Sequence, residues 1–354
     1  MNIKEIILQN FRNYTKKQIE FTAQTTFIVG SNAVGKTNIL EAIYLLATGR
    51  SIKAGVETEM IRYGEQVGRV MGTIKNGGEI NKLEIVLTTG DFNGQRIAKK
   101  KYLVNGVARR MSDLVGIIKA VYFGPEDMEI IIGSPSIRRD YLDKILDQAD
   151  REYRRANLSY RKGLRQRNKL LEQIREEGKP RSALFFWDQL LIENGSYMTR
   201  LRQEYLDFIN NQSDKWGGIR LVYDKSYISE ERLAQYAQEE VAAGTTLVGP
   251  HRDDFSINVA NGSAILRNLH AFGSRGEQRT AVFNLKLAEL DFIKQKTGET
   301  PILLLDDIFS ELDEVHREKI LASLPELQAI LTTMDLEVVE ERYRKDAQVV
   351  KITN

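Results

Sequence analysis

The 354-residue sequence predicts an α/β fold, a head of mixed sheets with helices into which a mainly helical lobe is inserted. Three observations predict it. The first 125 residues read as short strands separated by turn signals, the stretch from Ser136 to about Asn211 reads as long helical runs, and strand texture returns after Thr246. The head is therefore assigned to 1–125 together with 247–354, and the inserted lobe to 126–246.

The strands of the amino-terminal part are expected at Lys4 to Leu8, Thr26 to Val29, Val67 to Ile74, Lys82 to Leu87 and Tyr102 to Val104. Between them, Asn76-Gly77-Gly78 and Asn105-Gly106 favour positive-φ turns that close hairpins. The helical runs are rich in Leu, Arg, Glu and Gln and break near Gly178-Lys179-Pro180. A helix of about 40 residues would be about 60 Å long, so the insertion makes an arm and not a long coiled coil. Near the other end, Leu303-Leu304-Leu305 is the continuous apolar run of a strand buried on both faces.

Composition narrows the function classes. With 42% apolar and 28% charged residues the chain reads as globular, and it contains no cysteine, which excludes disulfides, thiol nucleophiles and cysteine zinc sites. Only three histidines are present, so a metal site is expected to use oxygen ligands. Lys4 and Glu5 interrupt the amino terminus where a signal peptide needs an apolar core, and no segment reaches the ~18 uncharged apolar residues of a membrane span. A cytoplasmic protein without a membrane partner is expected. The net charge of +2 says nothing about partners, but eleven Lys and Arg against four Glu lie between Arg151 and Arg181. That run is either a solvated helix face or a surface that neutralises phosphates.

The motif that carries chemistry is Gly30-Ser31-Asn32-Ala33-Val34-Gly35-Lys36-Thr37, a complete G-x-x-x-x-G-K-T between a strand-like Thr26 to Val29 and a helical Asn38 to Thr48. Its glycines let backbone N–H groups converge on phosphate oxygens, Lys36 can reach the β- and γ-phosphates, and Thr37 can ligate Mg2+. ATP and Mg2+ are the expected cofactors. The apolar strand 302–305 ends in Asp306-Asp307. Alone this could be a capped strand end; beside a P-loop, Asp306 is assigned to the metal and Asp307, with Lys36, to catalysis through the attacking water. A third segment, Phe272 to Arg279, places Ser274, Gly276 and Glu277 before a helix-like stretch. Alone it reads as a helix cap.

The order of P-loop, Ser-x-Gly turn and acidic strand end resembles that of ABC-type ATPases, whose signature segment grips the γ-phosphate of ATP held by the opposite subunit. The resemblance implies an ABC-type P-loop ATPase head, with Ser274 and Gly276 acting on the partner's nucleotide. Asp313, in Glu311-Leu312-Asp313, either caps a helix or touches the partner subunit. Gly273 and Arg275 depart from the usual signature, no Gln stands near Val121-Tyr122-Phe123, and Thr332-Thr333 replaces a customary His, so the family's sensor assignments do not carry over. Arg12 is a candidate for a nucleotide phosphate. Asp307 is shorter by a methylene than the usual Glu, which implies slow turnover.

Four further segments narrow the resemblance to the RecF family: Asn10 to Tyr14, Gly124-Pro125-Glu126-Asp127, Gly133 to Arg139, and Gly249-Pro250-His251-Arg252-Asp253-Asp254. It implies recombinational repair and replication, with an ATP-closed homodimer that binds double-stranded DNA at gaps or junctions. The partners it implies are RecR and, indirectly, RecO and RecA. Arg50, Lys53, Arg109 and Arg110 join the basic run as candidate phosphate contacts. His251 and Arg252 are either catalytic or the fasteners of a Gly-Pro turn. The competing readings are a transporter ATPase subunit, an SMC-like structural clamp and a P-loop kinase; the short basic insertion speaks against the first two, and the signature segment against the third.

Overall fold

Side chains that alternate in burial along a strand give its sheet one core face. The computed structural model describes residues 1–92, 94–260, 266–307, 318, 326–337 and 339–353. The chain divides into one unit of Met1–Asp127 with Glu289–Asn354 and another of Met128–Ala288.

The first unit begins with β1 (Asn2–Phe11), β2 (Tyr14–Glu20), β3 (Thr25–Val29) and α1 (Lys36–Thr48). It continues through β4 (Val67–Asn76), β5 (Glu79–Thr88), β6 (Asp91–Phe92), β7 (Gln95–Arg96), β8 (Lys100–Val104), β9 (Val107–Arg109) and β10 (Ala120–Phe123). An antiparallel sheet runs in the order β2-β1-β4-β5-β8-β9. Its core face carries Ile3, Ile6, Leu8, Val70, Ile74, Leu83 and Ile85. The two expected hairpins close as two-residue turns, with Gly77 and Gly78, then Asn105 and Gly106, at positive φ. Where β1 slips register between Ile3 and Glu5, the buried amide of Gln328 replaces a strand: it accepts the N–H of Ile3 at 2.7 Å and donates to its carbonyl at 2.8 Å.

The same unit is completed by β14 (Ile302–Leu305), β15 (Ala329–Thr333) and β16 (Gln348–Lys351), which form a parallel sheet of order β10-β14-β15-β3-β16. Its central strands are buried throughout, as the apolar run 302–305 predicts. Helix α1 packs between the two sheets and is buried along almost its whole length. Gly72 permits the close approach: a Cβ there would stand 2.6 Å from Leu46 Cδ1. Because the sheet is parallel, the segments after β3, β10, β14 and β15 all leave from one edge, the place where open α/β sheets bind ligands.

The second unit contains α2 (Glu129–Ile132), α3 (Pro135–Ala149), α4 (Arg151–Glu177), α5 (Phe185–Asn211), β11 (Ile219–Asp224), α6 (Glu230–Gln235), α7 (Ala237–Ala243), β12 (Asp254–Ala260), β13 (Leu266–Asn268) and α8 (Leu269–Phe272). Helices α4 and α5, 27 residues each and therefore about 40 Å long, pair closely where glycines make room, Gly163 of α4 against Leu190 and Leu191 and Gly195 of α5 against Tyr160. The break falls where expected, at Gly178 with φ 67. The lobe does not end at 246. Strand β12 pairs antiparallel with β11 from Ile219↔Val259 to Asp224↔Asp254, which keeps 247–288 with the helices.

Candidate functional site

Strand β3 delivers the loop 30–35 to the sheet edge. Ala33 and Gly35 take φ of 65 and 105, so the loop curls into the kind of N–H nest that cradles anions. Asn13 braces it, donating to the carbonyl of Val34 at 2.9 Å and accepting from Asn38 at 2.8 Å. Both loop glycines are required on the protein side. A Cβ at Gly30 would lie 2.6 Å from the Ile352 carbonyl, and one at Gly35 would lie 2.6 Å from the Asn13 amide. Ser31, Asn32 and Ala33 are exposed, whereas Val34, Gly35 and Lys36 are buried. The Lys36 ammonium donates to the carbonyls of Gly30 and Ser31 at 2.9 and 3.2 Å and lies 3.8 Å from Asp307.

Asp306 directly follows β14 and is buried at 3% exposure. Thr37 from the start of α1 donates to its Oδ1 at 2.9 Å, Thr332 from β15 donates to the same oxygen at 2.8 Å, and Tyr122 from β10 reaches Oδ2 at 3.0 Å. Thr332 also accepts the N–H of Asp307 at 2.9 Å. Asp307 has φ 51, a left-handed conformation that turns its half-buried carboxylate toward Lys36. Burial raises its pKa, against the opposing pull of Lys36, and the charge of Asp306 raises it further. The donor set fits a hard cation: one hydroxyl and one carboxylate 2.9 Å apart leave the remaining octahedral positions to phosphate oxygens and water, as Mg2+ prefers. Among the described residues, no group of three or more His, Asp or Glu gathers as a metal cage.

The structure thus brings together Gly30 to Thr37, Asp306 and Asp307. Arg12 is committed elsewhere. Its guanidinium binds both oxygens of the buried Glu41 at 2.6 and 2.7 Å and the carbonyl of Glu59 at 2.8 Å, fastening β1 to α1; Ser51 also donates to Glu41. Asp313 lies outside the described residues. Sequence reasoning named the stretches that hold Asn13, Tyr122 and Thr332 but gave none of the three a role in the site. The signal for the last two was their place at the ends of the strands on either side of β14.

In the second unit, Ser274 and Glu277 form a capping box at the start of α9 (Arg275–Thr297). The Glu277 carboxylate accepts the N–H and hydroxyl of Ser274 at 2.9 Å, and Arg267 clamps it from outside. Arg267 and then Ser274 hold the Glu277 carboxyl down at about 2. Gly273 is there because a Cβ would meet the Leu269 carbonyl at 2.6 Å. Gly276 has no such reason: among the described residues, nothing lies within 4 Å of the position a Cβ would take. Ser274, Arg275 and Gly276 are all exposed, as is Phe272.

Of the basic run only Arg154 and Arg167 are buried, and much of the rest is tied up in ion pairs at the surface. Arg154, Arg161 and Arg167 pair with the Asp147 carbonyl, Asp143, and Asp188 with Glu240, while Arg155, Arg175 and Lys179 pair with neighbouring glutamates. Lys162, Arg165 and Lys169 remain exposed at i, i+3 and i+7 on one face of α4 and have no ion pair among the described residues. Arg109 and Arg110 are exposed as well. His251 and Arg252 fasten the Gly249-Pro250 turn. His251 bonds Tyr160 at 2.8 Å and the Thr246 carbonyl at 3.1 Å, Arg252 donates to that carbonyl at 3.2 Å, and Arg202 donates to the Pro250 carbonyl at 2.7 Å.

The model of the family described as "RecF/RecN/SMC N terminal domain" matches residues 2–354. The chain is 36% identical to the DNA replication and repair protein RecF of Lachnoclostridium phytofermentans, covering 95% of this chain and 94% of that one. It is 34% identical to RecF of Bacillus cereus (strain G9842), covering 100% and 97%. A solved structure of the recombination mediator protein RecF-ATPrS in the RecFOR pathway superposes with a TM-score of 0.85 at 33% identity, covering 99% and 96%. The SMC head bound to the C-winged helix domain of ScpA, at TM-score 0.52 and 16% identity, covers 99% and 93% and shares the fold. Among the described residues no helix is long and apolar enough to cross a membrane.

Proposed function

The chain belongs to the RecF/RecN/SMC N-terminal-domain family, and from that premise we propose that it is a RecF-like, ATP-switched DNA clamp of recombinational repair and replication. It is an ATP-binding ATPase of the ABC type. The observation that carries the reading is the convergence of Thr37, Tyr122 and Thr332 on the buried Asp306 beside the loop 30–37.

In this reading the loop N–H groups and Lys36 bind the phosphates, and Thr37 with Asp306 would hold Mg2+, which would supply charge neutralisation at the β- and γ-phosphates. Asp307 orients and polarises the attacking water. Ser274 and Gly276 of a second copy close over the γ-phosphate, with Asp313 at the same contact, so two nucleotides join two heads. The open space around Gly276 supports this, since none of the described residues calls for a glycine there. Duplex DNA lies against exposed basic residues, with Lys162, Arg165 and Lys169 as candidate phosphate contacts. Hydrolysis is slow and releases the clamp. RecR, and through it RecO and RecA, are the protein partners in the cytoplasm.

The test is the solution mass of the wild type and Ser274→Arg, each with and without MgATP and a short duplex. ATP is expected to dimerise only the wild type and to tighten its hold on DNA. Mass and DNA affinity indifferent to ATP would overturn the clamp and leave the nucleotide site standing. Hydrolysis stimulated by DNA without detergent excludes a transporter subunit.

A further inference from the structure

The segment Gly124-Pro125-Glu126-Asp127 has no part in the mechanism above, yet each of its charged residues has a defined place. Asp127 accepts the N–H of Gly124 at 2.9 Å and fixes the turn after β10. Gly124 makes room for the Tyr122 hydroxyl, which a Cβ would approach to 2.2 Å. That hydroxyl lies 3.0 Å from Asp306 Oδ2 and also 3.0 Å from Glu126 Oε2. A phenol carries one proton, so it can satisfy only one of these carboxylates at a time. The other oxygen of Glu126, Oε1, lies 3.0 Å from the ammonium of Lys53, and both side chains are about 40% exposed (42% and 40%).

The geometry points to a relay in which the Tyr122 hydroxyl is a two-position hydrogen-bond switch, linking a nucleic-acid phosphate taken up by Lys53 to the nucleotide site at Asp306. This deepens the proposed function and rests on it. A phosphate that draws Lys53 away leaves Glu126 without its cation, and the phenolic proton turns to Glu126. Asp306 then loses a donor and presents a fuller negative charge to the site. Coupling of two binding sites is reciprocal: whatever factor DNA adds to nucleotide affinity, nucleotide adds to DNA affinity.

The experiment measures that factor directly on the full chain. Binding of a fluorescent ATP analogue with Mg2+ is titrated with and without a short duplex, and duplex anisotropy is titrated with and without nucleotide. The wild type is expected to show coupling of about fivefold or more, the lower range for coupled sites. Glu126→Gln and Lys53→Ala are each expected to reduce it at least about threefold while nucleotide still binds in the absence of DNA, and Tyr122→Phe, which alters the site itself, is expected to reduce the factor whatever it does to nucleotide affinity. If both ligands bind and all three variants keep the wild-type factor, the relay is overturned. If Tyr122→Phe unfolds, the two exposed positions decide alone. If the wild type binds nucleotide but no duplex, the DNA reading itself fails, and the relay with it.

Discussion

Thr332 donates its hydroxyl to Asp306 at 2.8 Å while the same oxygen accepts the N–H of Asp307 at 2.9 Å. One side chain therefore sets the position of both acids. Thr332→Val keeps the volume and removes the donor and acceptor together. A hydrogen bond to a charged group contributes about 1.5–3 kcal/mol, so single-turnover hydrolysis at saturating MgATP is expected to fall about 10- to 100-fold, with folding retained. An unchanged rate would show that the strand end positions the acids without Thr332.

Arg12 is held by a carboxylate with 0% exposure, while its own side chain keeps 20%. Removing it leaves Glu41 as a buried charge without its partner, and Arg12→Ala is expected to cost about 3 kcal/mol in urea unfolding. Arg12→Lys should recover little, because a single ammonium cannot reproduce the two-pronged contact. If instead ATP affinity drops and the unfolding midpoint stays, Arg12 serves a phosphate and not the fold.

At Gly276 the isolated chain has room for a side chain. Gly276→Leu is accordingly expected to leave the thermal midpoint of the apo protein within about 2 °C, since surface changes typically stay within about 0.5 kcal/mol. ATP-driven dimerisation, read by light scattering, should be lost. Dimerisation at wild-type strength would falsify the assignment of this face to a partner.

His251 is half-buried beside Tyr160, Thr246, Arg252, Arg139 and Asp253, and its pKa is lowered to about 4, first by desolvation and then by the two arginines, against the carbonyl of Thr246 and the charge of Asp253. The unfolded chain takes up the proton near 6.5 and the folded one only near 4. Stability is thus full above about pH 6.5 and falls as pH drops toward 4, by about 3 kcal/mol if the whole shift is realised. His251→Asn should flatten that part of the pH profile of the unfolding free energy, whatever it does to the plateau. An unaltered slope would assign it to other groups.

Much of this was legible in the sequence. The P-loop spacing, the apolar run before Asp306 and the glycine at 178 each depend on local rules of backbone conformation or burial, and each lies where those rules place it. Other features were hidden because they depend on pairing across hundreds of residues. Nothing near Thr332 announces that β15 will lie beside β14, and nothing near Arg167 announces that Glu240 will bury its charge. The basic run looked like a single surface because a linear count cannot see which side of a helix faces the core. The lobe boundary moved for a similar reason: a strand at 254–260 reads the same whichever sheet receives it.

The strand that feeds the phosphate loop, β3, has β15 on one side and β16 on the other, both from the last 26 residues of the chain. On a ribosome, the loop would emerge roughly 15–60 s before the strands that hold it, at the usual synthesis rates of about 5–20 residues per second. Until then its glycines have no sheet edge to press against, and the Ile352 carbonyl that closes over Gly30 does not exist. A nascent chain that has not yet delivered β15 and β16 would therefore carry the complete binding motif without the sheet that shapes it, so that nucleotide binding waits on residues about 300 positions further along.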